Sequence, residues 1–160
     1  MDYCFQFVDK ILGQYAVCVD LGCGPGVWGP ILKKHSRYLI GVDRNQGYLK
    51  AAARTRAYDD LVIDDIRFYQ IPVEADLVFM SEVVEHLTKP DGWNTLYSFR
   101  NHDVLITTPS NFFAIGLGPH ISLWTAEDFK SLGYKVYLIA TGWKDLFFGK
   151  RIVAYKTNQV

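Results

Sequence analysis

Three observations predict an α/β fold built on a largely parallel sheet. At Val19-Asp20-Leu21-Gly22-Cys23-Gly24-Pro25-Gly26 an apolar strand end runs straight into alternating glycines, which marks a tight strand-to-helix turn. Apolar runs of strand length then alternate with helical patterns along most of the chain. Only the last two strand patterns are joined too closely for a parallel crossover.

In chain order, Phe5, Val8, Ile11 and Leu12 recur at helical spacing, so Tyr3 to Leu12 reads as a leading helix with Gly13 as its cap. Ala16 to Leu21 is the first strand. A helix should follow from Val27 to His35, with Pro30 in its first turn and Lys33, Lys34 and His35 at its C-terminus. Tyr38 to Val42 is the second strand and ends in Asp43. Gln46 to Arg56 is alanine-rich and helical, Leu61 to Ile63 is the third strand, and Asp76 to Met80 is the fourth. A helical stretch is expected from Ser81 to Leu87, broken by Pro90 and Gly92 and resumed from Trp93 to Arg100. Asp103 to Thr107 is the fifth strand, with Pro109 and Asn111 opening a long loop. Thr125 should cap a short helix reaching Leu132, with Asp128 at its third position. Tyr134 to Ala140 and Arg151 to Tyr155 are the sixth and seventh strands.

A chain of 160 residues, 49% hydrophobic, suits one domain spanning 1–160 with a substantial core. Lys and Arg number 17 against 17 for Asp and Glu, so no global positive field draws the chain to nucleic acid. The charge is uneven: Lys33 to Arg56 carries seven bases and only Asp43, whereas Asp59 to Asp91 carries nine acids against Arg67 and Lys89. Two solvated faces explain this at least as well as a binding patch. Cys4, Cys18 and Cys23 are odd in number and lack metal-ligand spacing, as in a reducing compartment. No basic leader precedes an apolar run and no segment reaches membrane-spanning length. A soluble, cytoplasmic protein without a transmembrane segment is expected.

The residues around the glycines select the cofactor. A dinucleotide fingerprint would need glycine at position 27, where Val27 stands. Asp20 would repel a pyrophosphate and suits a cofactor with a cationic amino group. The run Asp20 to Gly26 resembles the first motif of the class I S-adenosylmethionine-dependent methyltransferases. That resemblance covers nearly the whole chain. It implies a Rossmann-like, doubly wound seven-stranded sheet, mostly parallel with the last strand antiparallel, and helices on both faces. It also implies that Asp20 holds the amino-acid end of S-adenosylmethionine and that Gly22 and Gly24 let the cofactor lie on the backbone. Asp43, seventeen residues after Gly26, would bind the ribose, and Asp65 would meet the adenine amine. Asp64 is an alternative to Asp65, because a one-residue slip exchanges which side chain faces the crevice. Cys23, Gly26 and Ser81 complete the implied cofactor set.

After the fourth strand, Ser81-Glu82-Val83-Val84 departs from the Asn or Asp followed by prolines of amino-directed DNA methyltransferases. Glu82, Glu85 and His86 are spaced i, i+3 and i+4, one face if the stretch is helical. The pattern resembles the metal-dependent 2′-O-methyltransferases of small RNA ends and the catechol O-methyltransferases of ubiquinone synthesis. His120, four residues before Trp124-Thr125, keeps the order of the former group. These resemblances imply an oxygen-directed methyltransferase acting on a small-molecule or RNA-end hydroxyl. Glu82, Glu85, His86 and His120 would be ligands of a divalent Mg, Mn or Zn, with His86, His120 and Glu82 as catalytic residues. Two carboxylates and two imidazoles would leave two positions of an octahedral ion for a diol. Without metal, a neutral imidazole of His86 or His120 could serve as general base. Helix capping or packing explains the glutamate-histidine pair equally well.

The loop Phe112 to Gly118 offers aromatics for stacking on a flat substrate or for plugging the core, and packing is the simpler reading. Trp143, Phe147 and Phe148 lie in the closing hairpin and offer a surface for a protein partner. A rival function is therefore a non-catalytic, cofactor-binding subunit of a larger complex.

Overall fold

Seven of the apolar runs become strands: β1 (Tyr15–Leu21), β2 (Ser36–Asp43), β3 (Asp60–Ile63), β4 (Leu77–Ser81), β5 (Asp103–Pro109), β6 (Lys135–Ile139) and β7 (Arg151–Lys156). The structure, a computed structural model, describes residues 3–110, 120–140 and 150–158. The strands form one sheet in the order β3-β2-β1-β4-β5-β7-β6. β1 pairs in parallel with β2 and with β4, and β2 pairs in parallel with β3. β7 runs antiparallel to both β5 and β6. The expected α/β class and mixed sheet, mostly parallel until its last strand, are those observed.

The described residues group into two units, one spanning 12–80 and the other 3–11 with 81–110, 120–140 and 150–158. In the first, Val19, Leu21, Leu39, Val42, Leu77, Val78 and Phe79 are fully buried, as continuous apolar strands of a parallel sheet must be. Each such side chain contributes roughly 1.5–3 kcal/mol relative to exposure. Between these strands run α2 (Gly29–His35) and α3 (Gln46–Arg54). Asn45 caps α3 by accepting from the Gly47 and Tyr48 amides.

α2 starts two residues later than expected. Gly26 lies at φ 83°, outside the right-handed helical region, and its carbonyl accepts from Gly29 in a turn. Val27 and Trp28 therefore belong to the loop, and Pro30 occupies the first turn of the helix.

The second unit holds α1 (Tyr3–Ile11), α4 (Lys89–Ser98) and α5 (Ala126–Ser131). Two expectations are corrected here. The stretch Ser81 to Leu87 is not a helix: Glu82 has φ 56° and only Val84–His86 forms a 3₁₀ turn. Pro90 and Gly92 do not break a helix but begin one. Thr88 caps α4 by accepting from the Asp91 amide, and proline fits the first turn, whose N–H lacks a partner anyway. Gly92 is required for packing, since a Cβ there would collide with the Trp124 ring. The Thr125 expectation holds: its hydroxyl accepts from the Asp128 amide while the Asp128 carboxylate accepts from the Thr125 amide.

Among the described residues no helix is long and apolar enough to cross a membrane. Cys4, Cys18 and Cys23 are buried and form no disulfide with one another. The aromatic loop Phe112 to Gly118 and the hairpin residues Trp143, Phe147 and Phe148 lie outside the described residues.

Candidate functional site

The glycine loop is held by backbone donors that the end of β2 accepts. The Gly22 and Cys23 amides both donate to the Val42 carbonyl, at 2.7 and 3.0 Å. The Gly24 amide donates to Asp43 Oδ2 at 2.9 Å, and the Asn45 amide donates to Asp43 Oδ1 at 2.7 Å. Asp43 thus ties the loop to the start of α3. A carboxylate offers about four acceptor positions, so these two bonds leave capacity for hydroxyls. Gly22, Gly24 and Gly26 all have positive φ, at 71°, 53° and 83°, which explains the alternation of glycine in the sequence.

The glycines differ in what their missing side chains permit. A Cβ on Gly24 would meet nothing within 4 Å, so a ligand can approach the backbone there. A Cβ on Gly26 would lie 2.9 Å from the Ala52 Cα and 3.0 Å from the Tyr58 ring. Gly26 therefore serves the packing of the loop on α3 and Tyr58. Cys23 is buried, and its thiol is pushed up by burial and then by Asp20 and Asp43.

Asp20 is 2% exposed and accepts a 2.7 Å hydrogen bond from the Tyr58 hydroxyl. Burial pushes its carboxyl up to about 7; the Tyr58 bond works against that shift and the Asp43 charge adds to it. Sequence reasoning missed Tyr58 entirely. The glycines are the only signal that could have found it: Gly26, Gly29 and Gly41 each approach the Tyr58 ring more closely than a Cβ would allow comfortably.

At the end of β3 the two acidic candidates separate. Asp65 Oδ1 accepts from the Arg67 amide and from Arg67 Nε, and Oδ2 accepts from the Arg67 guanidinium at 2.5 Å. This pairing holds the Asp65 carboxyl down at about 2. Asp64 accepts the Asp65 amide at 2.7 Å through Oδ1.

In the other unit the turn Val84–His86 gathers the second group of residues. Glu85 is 3% exposed, and its Oε2 accepts from the Thr108 hydroxyl of β5 at 3.0 Å. Its Oε1 is buried and accepts no hydrogen bond among the described residues. Burial raises the Glu85 carboxyl well above the usual range, which the Thr108 bond partly offsets. The backbone of the 120–125 segment docks onto the same turn. Ile121 and Ser122 amides donate to the Glu85 carbonyl at 2.9 and 3.1 Å, and Trp124 Nε1 donates to the Val84 carbonyl at 3.1 Å. Trp124, 1% exposed, is the anchor that carries His120 to its place.

The result is that one ligand-type atom each from Glu85, His86 and His120 lies within 4.8 Å of the others. The two imidazole rings sit edge to face with centroids 4.7 Å apart. A buried carboxylate oxygen without a donor beside two imidazoles is a donor set suited to a borderline divalent cation. Glu82 stands outside this group, because its carboxylate pairs with Arg151 of β7. The Ser81 hydroxyl is shared with Thr107 at 2.7 Å, and the Glu82 amide donates to the Thr107 carbonyl at 2.9 Å.

A family model described as a methyltransferase domain matches residues 19–102, just over half of the chain. No curated protein matches the chain by sequence. Among solved structures, the N-methyltransferase NodS from Bradyrhizobium japonicum WM9 is similar, with a TM-score of 0.77 at 12% identity over 97% of this chain and 93% of that one. A methyltransferase solved in complex with the Trm112 methyltransferase activator of Haloferax volcanii has a TM-score of 0.74 at 15% identity, over 96% and 88% of the two chains. The small RNA methyltransferase HEN1 has a TM-score of 0.68 at 18% identity, over 99% of this chain. The chain spans a quarter of the length of that protein. At these identities the likeness is one of fold.

Proposed function

The chain belongs to the methyltransferase-domain family, and from that premise we propose an S-adenosylmethionine-dependent O-methyltransferase, carried by residues 1–160 as one cytoplasmic catalytic domain, with a hydroxyl of a small molecule or of an RNA end as acceptor. The observation that carries the oxygen-directed reading is the Glu85, His86 and His120 cluster with its unpartnered, buried Glu85 oxygen.

S-adenosylmethionine supplies an activated methyl group, so the protein's task is to bind, align and exclude water. In this reading the open backbone at Gly24 receives the cofactor and Gly22 gives the turn its shape. Asp43 accepts the ribose hydroxyls with its remaining lone pairs, and Asp20 faces the cationic amino group. Asp64 rather than Asp65 meets the adenine amine, because the Asp65 carboxylate is occupied by Arg67. Ser81, whose hydroxyl is hydrogen-bonded to that of Thr107, is the further cofactor residue of this reading.

Glu85, His86 and His120 would hold a divalent cation such as Mg, Mn or Zn, which when bound lowers the pKa of a coordinated hydroxyl. Glu82, the fourth residue expected from the sequence, pairs with Arg151 and is not among the ligands of this reading. Thr108 orients the Glu85 carboxylate, and the docked 120–125 segment orients His120. The resemblance in fold to HEN1 supports an RNA end as one acceptor class, and catechol-type diols are the other. Radiolabelled methyl transfer to small RNAs and to catechols, with and without a chelator, tests the proposal. Incorporation that chelator removes is the expected result; chelator-insensitive transfer would sink the metal, and transfer to amines alone would sink the oxygen.

One observation favours a partner as well: a similar fold was solved together with a methyltransferase activator. A cofactor-binding subunit would bind S-adenosylmethionine, form a stable hetero-complex and transfer no methyl group to any acceptor by itself.

A further inference from the structure

We propose that Tyr58 is a positioning residue for the cofactor: its hydroxyl holds the Asp20 carboxylate in the orientation that receives the cationic amino group of S-adenosylmethionine. This inference rests on the cofactor reading of the glycine loop and names a residue that the glycine motif itself does not contain.

Tyr58 is built into the cradle from three directions. A Cβ on Gly29, at the start of α2, would stand 2.7 Å from the ring, and one on Gly41, in the middle of β2, would also stand 2.7 Å from it. A Cβ on Gly26, in the loop, would stand 3.0 Å from it. Alanine at any of the three would crowd the ring whose hydroxyl donates to Asp20 Oδ2 at 2.7 Å. The backbone around Tyr58 is pinned independently of that hydroxyl. The Asp59 amide donates to the Leu39 carbonyl at 2.9 Å, and Asp59 Oδ2 accepts from the Leu39 amide at 2.7 Å and from Lys33 Nζ at 2.6 Å. Loss of the hydroxyl alone should therefore leave the fold standing.

The chemistry explains why such a donor is useful. Asp20 is buried, and the titratable groups acting on it or acted on by it are Cys18 on β1, Cys23 in the loop, Asp43 at the end of β2 and Tyr58 itself. None of these is a cation. Desolvation and Asp43 both favour the neutral carboxylic acid, which would offer an ammonium ion no charge. The Tyr58 hydroxyl is the side-chain hydrogen bond that favours the carboxylate. The phenol can only remain a donor, since burial and the Asp20 charge push its own ionisation far above the usual tyrosine range.

The test is calorimetric titration with S-adenosylhomocysteine, which carries the same amino group, at a series of pH values for the wild type, Tyr58→Phe and Asp20→Asn. Using one ligand throughout cancels its own titration. In the wild type affinity should rise with pH through the ionisation of Asp20. Tyr58→Phe should bind about tenfold more weakly near neutral pH, the scale of a hydrogen bond to a charged group. Its midpoint should move upward by about one pH unit. Asp20→Asn should be weak and flat with pH. A Tyr58→Phe profile with the wild-type midpoint would overturn the inference, as would a pH dependence that survives in Asp20→Asn. Absence of any binding by folded wild-type protein would instead count against the cofactor reading beneath it. Carboxyl ¹³C titration of Asp20 in the ligand-free wild type and Tyr58→Phe gives a second measure, and equal midpoints there would also refute the role.

Discussion

The glycine loop and the Glu85, His86 and His120 cluster solve the problem of buried polar groups in opposite ways. In the loop nearly every group is spent within the protein: the Gly24 amide on Asp43, the Gly22 and Cys23 amides on Val42, and the Asp20 carboxylate on Tyr58. What remains for a ligand is shape, the open face of Gly24, and the spare lone pairs of Asp43 and Asp20. In the cluster a buried carboxylate oxygen of Glu85 has no donor among the described residues. A satisfied network holds its geometry whether or not a ligand is bound, whereas an unsatisfied buried oxygen costs stability until something coordinates it. On the proposed reading the first region is a frame and the second a site that an added cation would stabilise.

That contrast can be broken at several points. Replacing Glu85 with Gln or His120 with Ala should have the largest effect, removing metal affinity by more than about 100-fold, since even outer-sphere partners cost 10–100-fold. Titration with Mn²⁺ reads this directly, and S-adenosylhomocysteine binding should stay within a factor of about two in both variants. Unchanged Mn²⁺ binding would remove the distinction between the regions. Trp124→Phe keeps an aromatic ring but loses the Nε1 bonds to the Val84 carbonyl and the Ser122 hydroxyl. It should lower Mn²⁺ affinity by about tenfold through misplacement of His120.

Within the loop, Gly26→Ala and Gly24→Ala should part company. The former forces a Cβ to 2.9 Å from the Ala52 backbone and should cost about 1–3 kcal/mol of stability, read as a fall in Tm. The latter meets no neighbour, so beyond about 1 kcal/mol of left-handed strain its cost should appear as lost cofactor affinity. Equal losses of Tm would show that the two glycines do the same work.

The smallest effect sharpens the comparison by pH. Asp20 titrates from 3.8 in an unfolded chain to about 7 in the fold. Its contribution is therefore fully present below pH 4 and is lost as pH rises toward 7, because the unfolded state ionises first. Glu85 is shifted in the same direction. The ligand-free protein should have a lower Tm at pH 8 than at pH 5, and Asp20→Asn should reduce that difference without abolishing it. A divalent cation should reverse only the Glu85 share.

The alternation of elements, the glycine turn with Asp43 at the next strand end, and the Thr125 capping box were legible in the residues alone. These features are encoded by neighbours within a few positions, where periodicity and turn chemistry act directly. Other outcomes depended on what the fold brings together from far along the chain. A spacing of i, i+3 and i+4 suited a helix at Glu82 to His86, yet Glu82 turned to φ 56° and paired with Arg151, almost seventy residues away. His120 reached Glu85 because Trp124 found a buried acceptor at Val84. Tyr58 carried no signal of its own, since an aromatic after an alanine-rich helix is ordinary in any sequence. Its role exists only where three glycines from a loop, a helix start and a strand leave room for one ring, and a buried carboxylate needs a donor that only long-range packing can supply.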